Sequence, residues 1–86
     1  MPPSEAPITV AVTLRSILAK FRPDPKSREP FPVELPPGAT VGQLVARLRV
    51  HEKLARLIFV DHVRSGPDTV LTDGARVDIF PPVAGG

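Results

Sequence analysis

The chain has 86 residues, 42% of them hydrophobic and 23% charged, which suits one globular domain and excludes both a second domain and a disordered polymer. It contains no cysteine, so a disulfide framework, a thiolate nucleophile and a cysteine-ligated zinc are excluded together, and any sulfur in its chemistry must arrive from another molecule. Net charge is only +2, and four phenylalanines without tyrosine or tryptophan leave little for base stacking, so no nucleic-acid partner is expected.

Residues 1–7 are proline-rich and read as a loose N-terminus. They lack a basic segment followed by an apolar one, so no signal peptide is expected. No apolar run approaches the roughly 18 residues of a membrane span. A cytoplasmic protein with no membrane partner is the expectation.

Ile8-Thr9-Val10-Ala11-Val12-Thr13-Leu14 alternates strictly, with Ile8, Val10, Val12 and Leu14 on one face, and reads as a strand. The rhythm then changes. Leu14, Ile17, Leu18 and Phe21 fall at helical spacing, which predicts one or two turns before Pro23 and Pro25 end them. Residues 22–30 form a charged, proline-bounded connection. Phe31-Pro32-Val33-Glu34-Leu35 predicts a short strand, with Pro32 pointing to a sheet edge or a bulge because it cannot donate to a ladder.

Pro37-Gly38 closes that strand, and Thr40 followed by Gln43 makes a capping box for a helix expected over about 41–50. Val41, Leu44, Val45 and Leu48 form its apolar stripe, which packs across the sheet. Residues 51–56 either extend the helix or make a separate turn. Leu57 to Val63 predicts a strand, Ser65-Gly66-Pro67-Asp68 a turn, and Thr69-Val70-Leu71 is too short to assign. A second turn at Thr72-Asp73-Gly74-Ala75 leads into a last strand, Arg76 to Phe80. The first and last strands are the most apolar, which suits adjacent parallel positions in the sheet centre. The ordering predicts an α+β fold, a mixed sheet of four or five strands with one main helix on one face.

Cations gather in two places. Arg15, Lys20, Arg22, Lys26 and Arg28 are opposed by Asp24 in the first third, and Arg47, Arg49, Lys53 and Arg56 by Glu52 in the middle. Such clusters can meet an acidic protein surface or phosphates, though solvated faces are the plainer explanation. His51 and His62 have no acidic cluster at ligand spacing, so no metal site is expected. Asp61, His62 and Ser65 lack the strand-turn-helix elbow of a serine nucleophile.

The tail, Phe80-Pro81-Pro82-Val83-Ala84-Gly85-Gly86, carries the sharpest functional signal. Phe80 closes a domain of residues 8–80, and Pro81 and Pro82, with φ held near about −65°, stop the strand and send the chain out. Residues 81–86 are expected to form a flexible, extended tail reaching up to roughly 20 Å at about 3.3 Å per residue. Gly85 and Gly86 carry no Cβ, so the chain fits a channel too narrow for side chains. The expectation is that the Gly86 α-carboxylate is the reacting group, with Val83 and Ala84 filling a partner's groove. An ordinary loose end is the plainer alternative.

Three stretches together resemble the ubiquitin-like β-grasp sulfur carriers, namely the small subunit of molybdopterin synthase and the related thiamine-pathway carrier. They are the tail itself, Leu71-Thr72-Asp73-Gly74-Ala75-Arg76-Val77, which is similar to the family's Leu-x-Asp-Gly-x-x-Val turn, and Pro37-Gly38-Ala39-Thr40-Val41 with Leu44 and Leu48. Thr13-Leu14-Arg15 is a fourth, weaker match. The 22–30 connection is longer than in the family, and Val60-Asp61-His62-Val63-Arg64 lacks the Val-Asn-Gly turn many members carry.

The resemblance implies a carrier, not catalytic alone. An E1-like adenylating enzyme would use Mg-ATP to activate Gly86, a persulfide sulfur donor protein would convert it to a thiocarboxylate, and the molybdopterin synthase large subunit would receive the loaded tail. No cofactor would be bound permanently. Phe80 and Arg15 would belong to the docking surface, and Phe59 falls on that face or in the core. The alternatives are sulfur transfer to thiamine thiazole synthesis or another pathway, a ubiquitin-like modifier conjugated through Gly86, and a plain interaction module.

Overall fold

A computed structural model describes residues 6–24 and 26–82. Its elements are β1 (Ile8–Leu14), a 3-10 helix (Ser16–Phe21), β2 (Phe31–Leu35), α1 (Val41–Arg47), β3 (Leu57–Val60), β4 (Val63–Ser65) and β5 (Arg76–Phe80). The strands form one mixed sheet in the order β2-β1-β5-β3-β4. β1 and β5 lie parallel at its centre, with Val12 opposite Val77 and Leu14 opposite Ile79, as their apolar character predicts.

Period-two alternation divides the sheet into two faces. Val10, Val12, Leu14, Val77, Ile79 and Ile58 point toward α1 and meet Val41, Leu44 and Val45 in the buried core. Pro32 sits on β2 at the sheet edge, where a missing N–H leaves no ladder bond unmade.

The helix begins as its capping box requires: Thr40 Oγ1 accepts from the Gln43 amide at 3.3 Å, and Gln43 Oε1 from the Thr40 amide at 2.8 Å. It ends sooner than 50. Leu48 is its C-cap, Arg49 turns left-handed at φ 61°, and the amides of Arg49 and Val50 bond back to the carbonyls of Ala46 and Val45. That is a Schellman closure with arginine where glycine is usual, so no glycine marks the stop. Val50 is buried beside it, and residues 51–56 make a separate turn with Leu54 and Ala55 bonded to His51.

Two further differences have physical causes. The turns after β1 wind as a 3-10 helix, whose three-residue period puts Leu18 and Phe21 inward and leaves Ile17 59% exposed. The run from Leu57 to Val63 is not one strand. Asp61 and His62 both have positive φ, 49° and 70°, making a two-residue hairpin loop between Val60 and Val63, so the expected strand breaks in two and β4 runs from its last residue, Val63, to Ser65, the first residue of the expected turn. Asp and His tolerate the left-handed region better than most residues, which lets this pair fill the place of an Asn-Gly.

Arg22 has left the cationic cluster assigned to it. Its Nε and Nη2 donate to the Leu14 carbonyl and Nη1 donates to Ser27 at 2.9 Å, clamping the start of the long connection to the end of β1. The Asp73-Gly74 turn is a second clamp. Asp73 Oδ1 accepts from the Thr9 amide and Gly74, at φ 84°, donates to the Thr9 carbonyl, both at 2.8 Å. Those bonds set the β1–β5 register, and they give the Leu-x-Asp-Gly spacing its physical reason. Leu71, just before the turn, is buried and donates to Ala39, while Val70 makes an isolated antiparallel bridge with Thr40.

Candidate functional site

The tail starts from the middle of the sheet, because β5 lies between β1 and β3. At its last residue the Phe80 carbonyl accepts from the Arg56 amide at 3.2 Å, so the exit is tied to the start of β3. Pro81 is half-buried and Pro82 exposed. Neither has an N–H, so the ladder cannot continue through them. Val83, Ala84, Gly85 and Gly86 lie outside the described residues.

The exit opens beside the face of the sheet that α1 does not cover. Phe80 and Asp78 alternate with the core residues Val77 and Ile79, so they stand on this outer face. Register sets Leu57 opposite Phe80 and Phe59 opposite Asp78. The rings of Phe59 and Phe80 meet edge to face, with centroids 5.8 Å apart and planes at 83°. Phe59 therefore belongs to the outer face, a point that hydrophobicity alone left open.

Arg15 completes the cluster from the end of β1. Its amide donates to the Ile79 carbonyl at 3.0 Å, its Nη2 donates to Asp78 Oδ1 at 3.2 Å, and its guanidinium lies 5.9 Å from the Phe80 ring centroid. The side chain remains half exposed while Asp78 is 13% exposed. Asp78 was missed at the sequence level. Its signal was present in the alternation of the last strand, which puts it between Val77 and Ile79 and on the same side as Phe80.

Other residues weighed as chemical groups serve local structure. His51 Nδ1 accepts from the Lys53 amide at 3.1 Å, Asp61 Oδ1 from the Arg76 amide at 3.0 Å, and Ser65 Oγ donates to the Val63 carbonyl at 2.9 Å. Among the described residues no three His, Asp or Glu side chains gather as metal ligands, and no helix is long and apolar enough to cross a membrane. The chemistry of the outer face is that of contact: aromatic area, one guanidinium held in place, and a chain exit beside them.

Comparison with known proteins follows the same outline. Residues 26–86 match the ThiS family. No curated protein matches the chain. Among solved structures, a Pyrococcus furiosus protein described as molybdopterin converting factor, subunit 1, is 26% identical, with a TM-score of 0.65 over 88% of this chain and 99% of that one. SAMP1 from Haloferax volcanii is 23% identical, with a TM-score of 0.66 over 91% of this chain and 99% of that one. The Haloferax volcanii HVO 2177 protein is 20% identical, with a TM-score of 0.74 over 93% of this chain and 88% of that one. The last two likenesses carry the fold alone. With the family match spanning well over half of the chain and a sheet order and helix placement to suit, this protein belongs to the ThiS family of ubiquitin-like β-grasp sulfur carriers.

Proposed function

We propose that the protein carries sulfur as a thiocarboxylate on Gly86 and delivers it to molybdopterin synthesis. The observation that carries this reading is the exit of the chain: a central strand ends at Phe80 and two prolines beside an aromatic face, with only small residues beyond. Likeness to the Pyrococcus furiosus protein described as molybdopterin converting factor, subunit 1, supports the pathway, as does the Phe80-Pro81-Pro82 ending.

In this reading an E1-like partner binds the outer face and adenylates the Gly86 carboxylate with Mg-ATP. An oxygen of a carboxylate leaves poorly, whereas AMP leaves readily, so the mixed anhydride opens the carbonyl to sulfur. The terminal sulfur of a persulfide on a donor protein then attacks that carbonyl and expels AMP, and a second thiol cleaves the resulting acyl disulfide, which leaves the thiocarboxylate on Gly86 and a disulfide between the donor sulfur and that thiol. The loaded tail enters the large subunit of molybdopterin synthase, where Gly85 and Gly86 pass a narrow channel while Phe80, Phe59 and Arg15 hold the face outside.

The test is intact mass of the protein recovered from native cells, together with a pull-down. A mass gain matching replacement of one oxygen by sulfur, with a molybdopterin synthase large subunit retained, is the expected result. Retention of a thiazole-forming enzyme alone overturns the pathway, and isopeptide ladders on other proteins favour a modifier. Adding one residue after Gly86 should abolish loading and leave the melting curve nearly unchanged; normal adenylation of that variant overturns the mechanism.

A further inference from the structure

A second guanidinium flanks the aromatic pair on the outer face. The β3–β4 register sets Arg64 opposite Phe59, and directly paired residues share a face, so Arg64 stands on the same side as the two rings. Asp78, Phe59 and Arg64 thus form one row across β5, β3 and β4. Arg64 is exposed and makes no ion pair among the described residues. The carboxylates of this side are engaged or distant. Asp78 accepts from Arg15. Asp61, in the hairpin loop, accepts from the Arg76 amide and so sits beside Arg76, at the opposite end of β5 from Phe80. Glu34 is four strands away on β2, roughly 19 Å at about 4.8 Å per strand.

Anything that docks at the tail also covers Arg64. Phe80 and Arg64 lie two strands and two residues apart, which is roughly 12 Å from spacings of about 4.8 Å between strands and 3.4 Å along them. A standard interface takes about 800 Å² of each partner, a disc of roughly 16 Å radius. A partner centred on the chain exit therefore strips water from Arg64 as well as from Phe59 and Phe80. A desolvated charge without a counter-charge is costly. Arg15 meets that demand within the chain, through Asp78. Arg64 must meet it from outside.

Other occupants fit less well. A nucleic-acid strand needs open rings to stack on, whereas Phe59 and Phe80 are part-buried and packed edge to face, and the Asp78 carboxylate in the same row repels phosphates. A second copy of the chain brings Arg15, Arg64 and Arg76 against their like, with Asp78 already used. The enzyme that adenylates Gly86 has a different need. A plain C-terminal carboxylate is common to all proteins, so that enzyme must find its substrate by the face beside the tail. We propose that Arg64 selects the adenylating partner by binding one of its carboxylates, next to the apolar contact made by Phe59 and Phe80. The inference rests on the outer face being the docking surface, and it names the charge the partner carries there.

The assay is ATP–pyrophosphate exchange by the adenylating enzyme of the same cells, with the full chain as the varied substrate. Arg64→Glu should raise KM at least about tenfold while kcat falls by less than about twofold, because docking is opposed and the tail is untouched. Arg64→Lys keeps the charge and should recover KM to within about threefold of wild type, and added salt should narrow the gap between wild type and Arg64→Glu. The side chain is exposed, so the melting temperature checks that each variant is folded. Phe80→Ala separates the two levels of the reading. If Phe80→Ala raises KM and Arg64→Glu does not, the role of Arg64 is overturned and the docking face stands. If neither raises KM, both fall. A loss confined to kcat, or no recovery with Arg64→Lys, also overturns the ion pair. So does a single-stranded oligonucleotide or a second copy of the chain bound at the face in an Arg64-dependent way, which would give the residue another occupant.

Discussion

Phe59 and Phe80 offer a direct test of how the outer face is held. Both rings are part-buried, so each should contribute about half of the roughly 1.5–3 kcal/mol that full burial of a phenylalanine gives. Their edge-to-face contact adds about 0.5–1.5 kcal/mol, and the Arg15 guanidinium over Phe80 about 0.5–1 kcal/mol at an exposed site. Phe80→Ala should therefore destabilise by about 2–3 kcal/mol and Phe59→Ala by somewhat less. The double variant should lose about 1 kcal/mol less than the two single losses added together, since the ring contact is removed in each. Urea unfolding followed by circular dichroism measures all four corners of the cycle, with the slope against urea expected to stay constant. Arg15→Ala is the internal control, with a loss within about 1 kcal/mol, because its ion pair with Asp78 is half exposed. Additivity of the two phenylalanine losses within about 0.3 kcal/mol would refute the contact as a source of stability and reduce the face to two unrelated rings.

Two further outcomes follow from the backbone. Arg49→Gly should raise stability by about 0.5–1 kcal/mol, because glycine occupies the left-handed Schellman position without the Cβ clash, less the entropy its unfolded chain gains. In a thermal melt that is a rise of about 2–8 °C, and a fall would refute the closure. Arg22→Ala should destabilise by about 2–3 kcal/mol through loss of charged donors to the Leu14 and Ser27 carbonyls. The variant's extra hydrogen exchange should concentrate in residues 22–30, and uniform exchange across the sheet would contradict a clamping role.

Much of the fold was legible because local signals agreed with one another. Alternation in Ile8–Leu14 and Arg76–Phe80 marked the central strands, the Thr40–Gln43 box marked the start of the helix, and Pro32 marked an edge. Misreadings fell where left-handed residues other than glycine do the turning. Arg49 ends the helix, Ser16 opens the 3-10 turn and Asp61-His62 reverses the chain, all at positive φ and without the glycine that usually announces such a bend. Arg22 looked like surface charge because only the fold brings the Leu14 and Ser27 carbonyls to it. At the candidate site, Phe80 and Arg15 stood out from motif and position. Asp78 and Phe59 joined them through cross-strand register, which depends on how β1, β5 and β3 pair.

The tie between the last strand and both of its neighbours has a mechanical meaning. β5 is paired along its length with β1 on one side and β3 on the other, four residue pairs to each. A pull on the chain beyond Phe80 acts along the strand axis, so the bonds on both flanks share the load in shear and must break together. A strand at the sheet edge, pulled sideways, would open one bond at a time like a zipper. A partner can thus grip and draw on the tail with considerable force while the domain behind it keeps its shape.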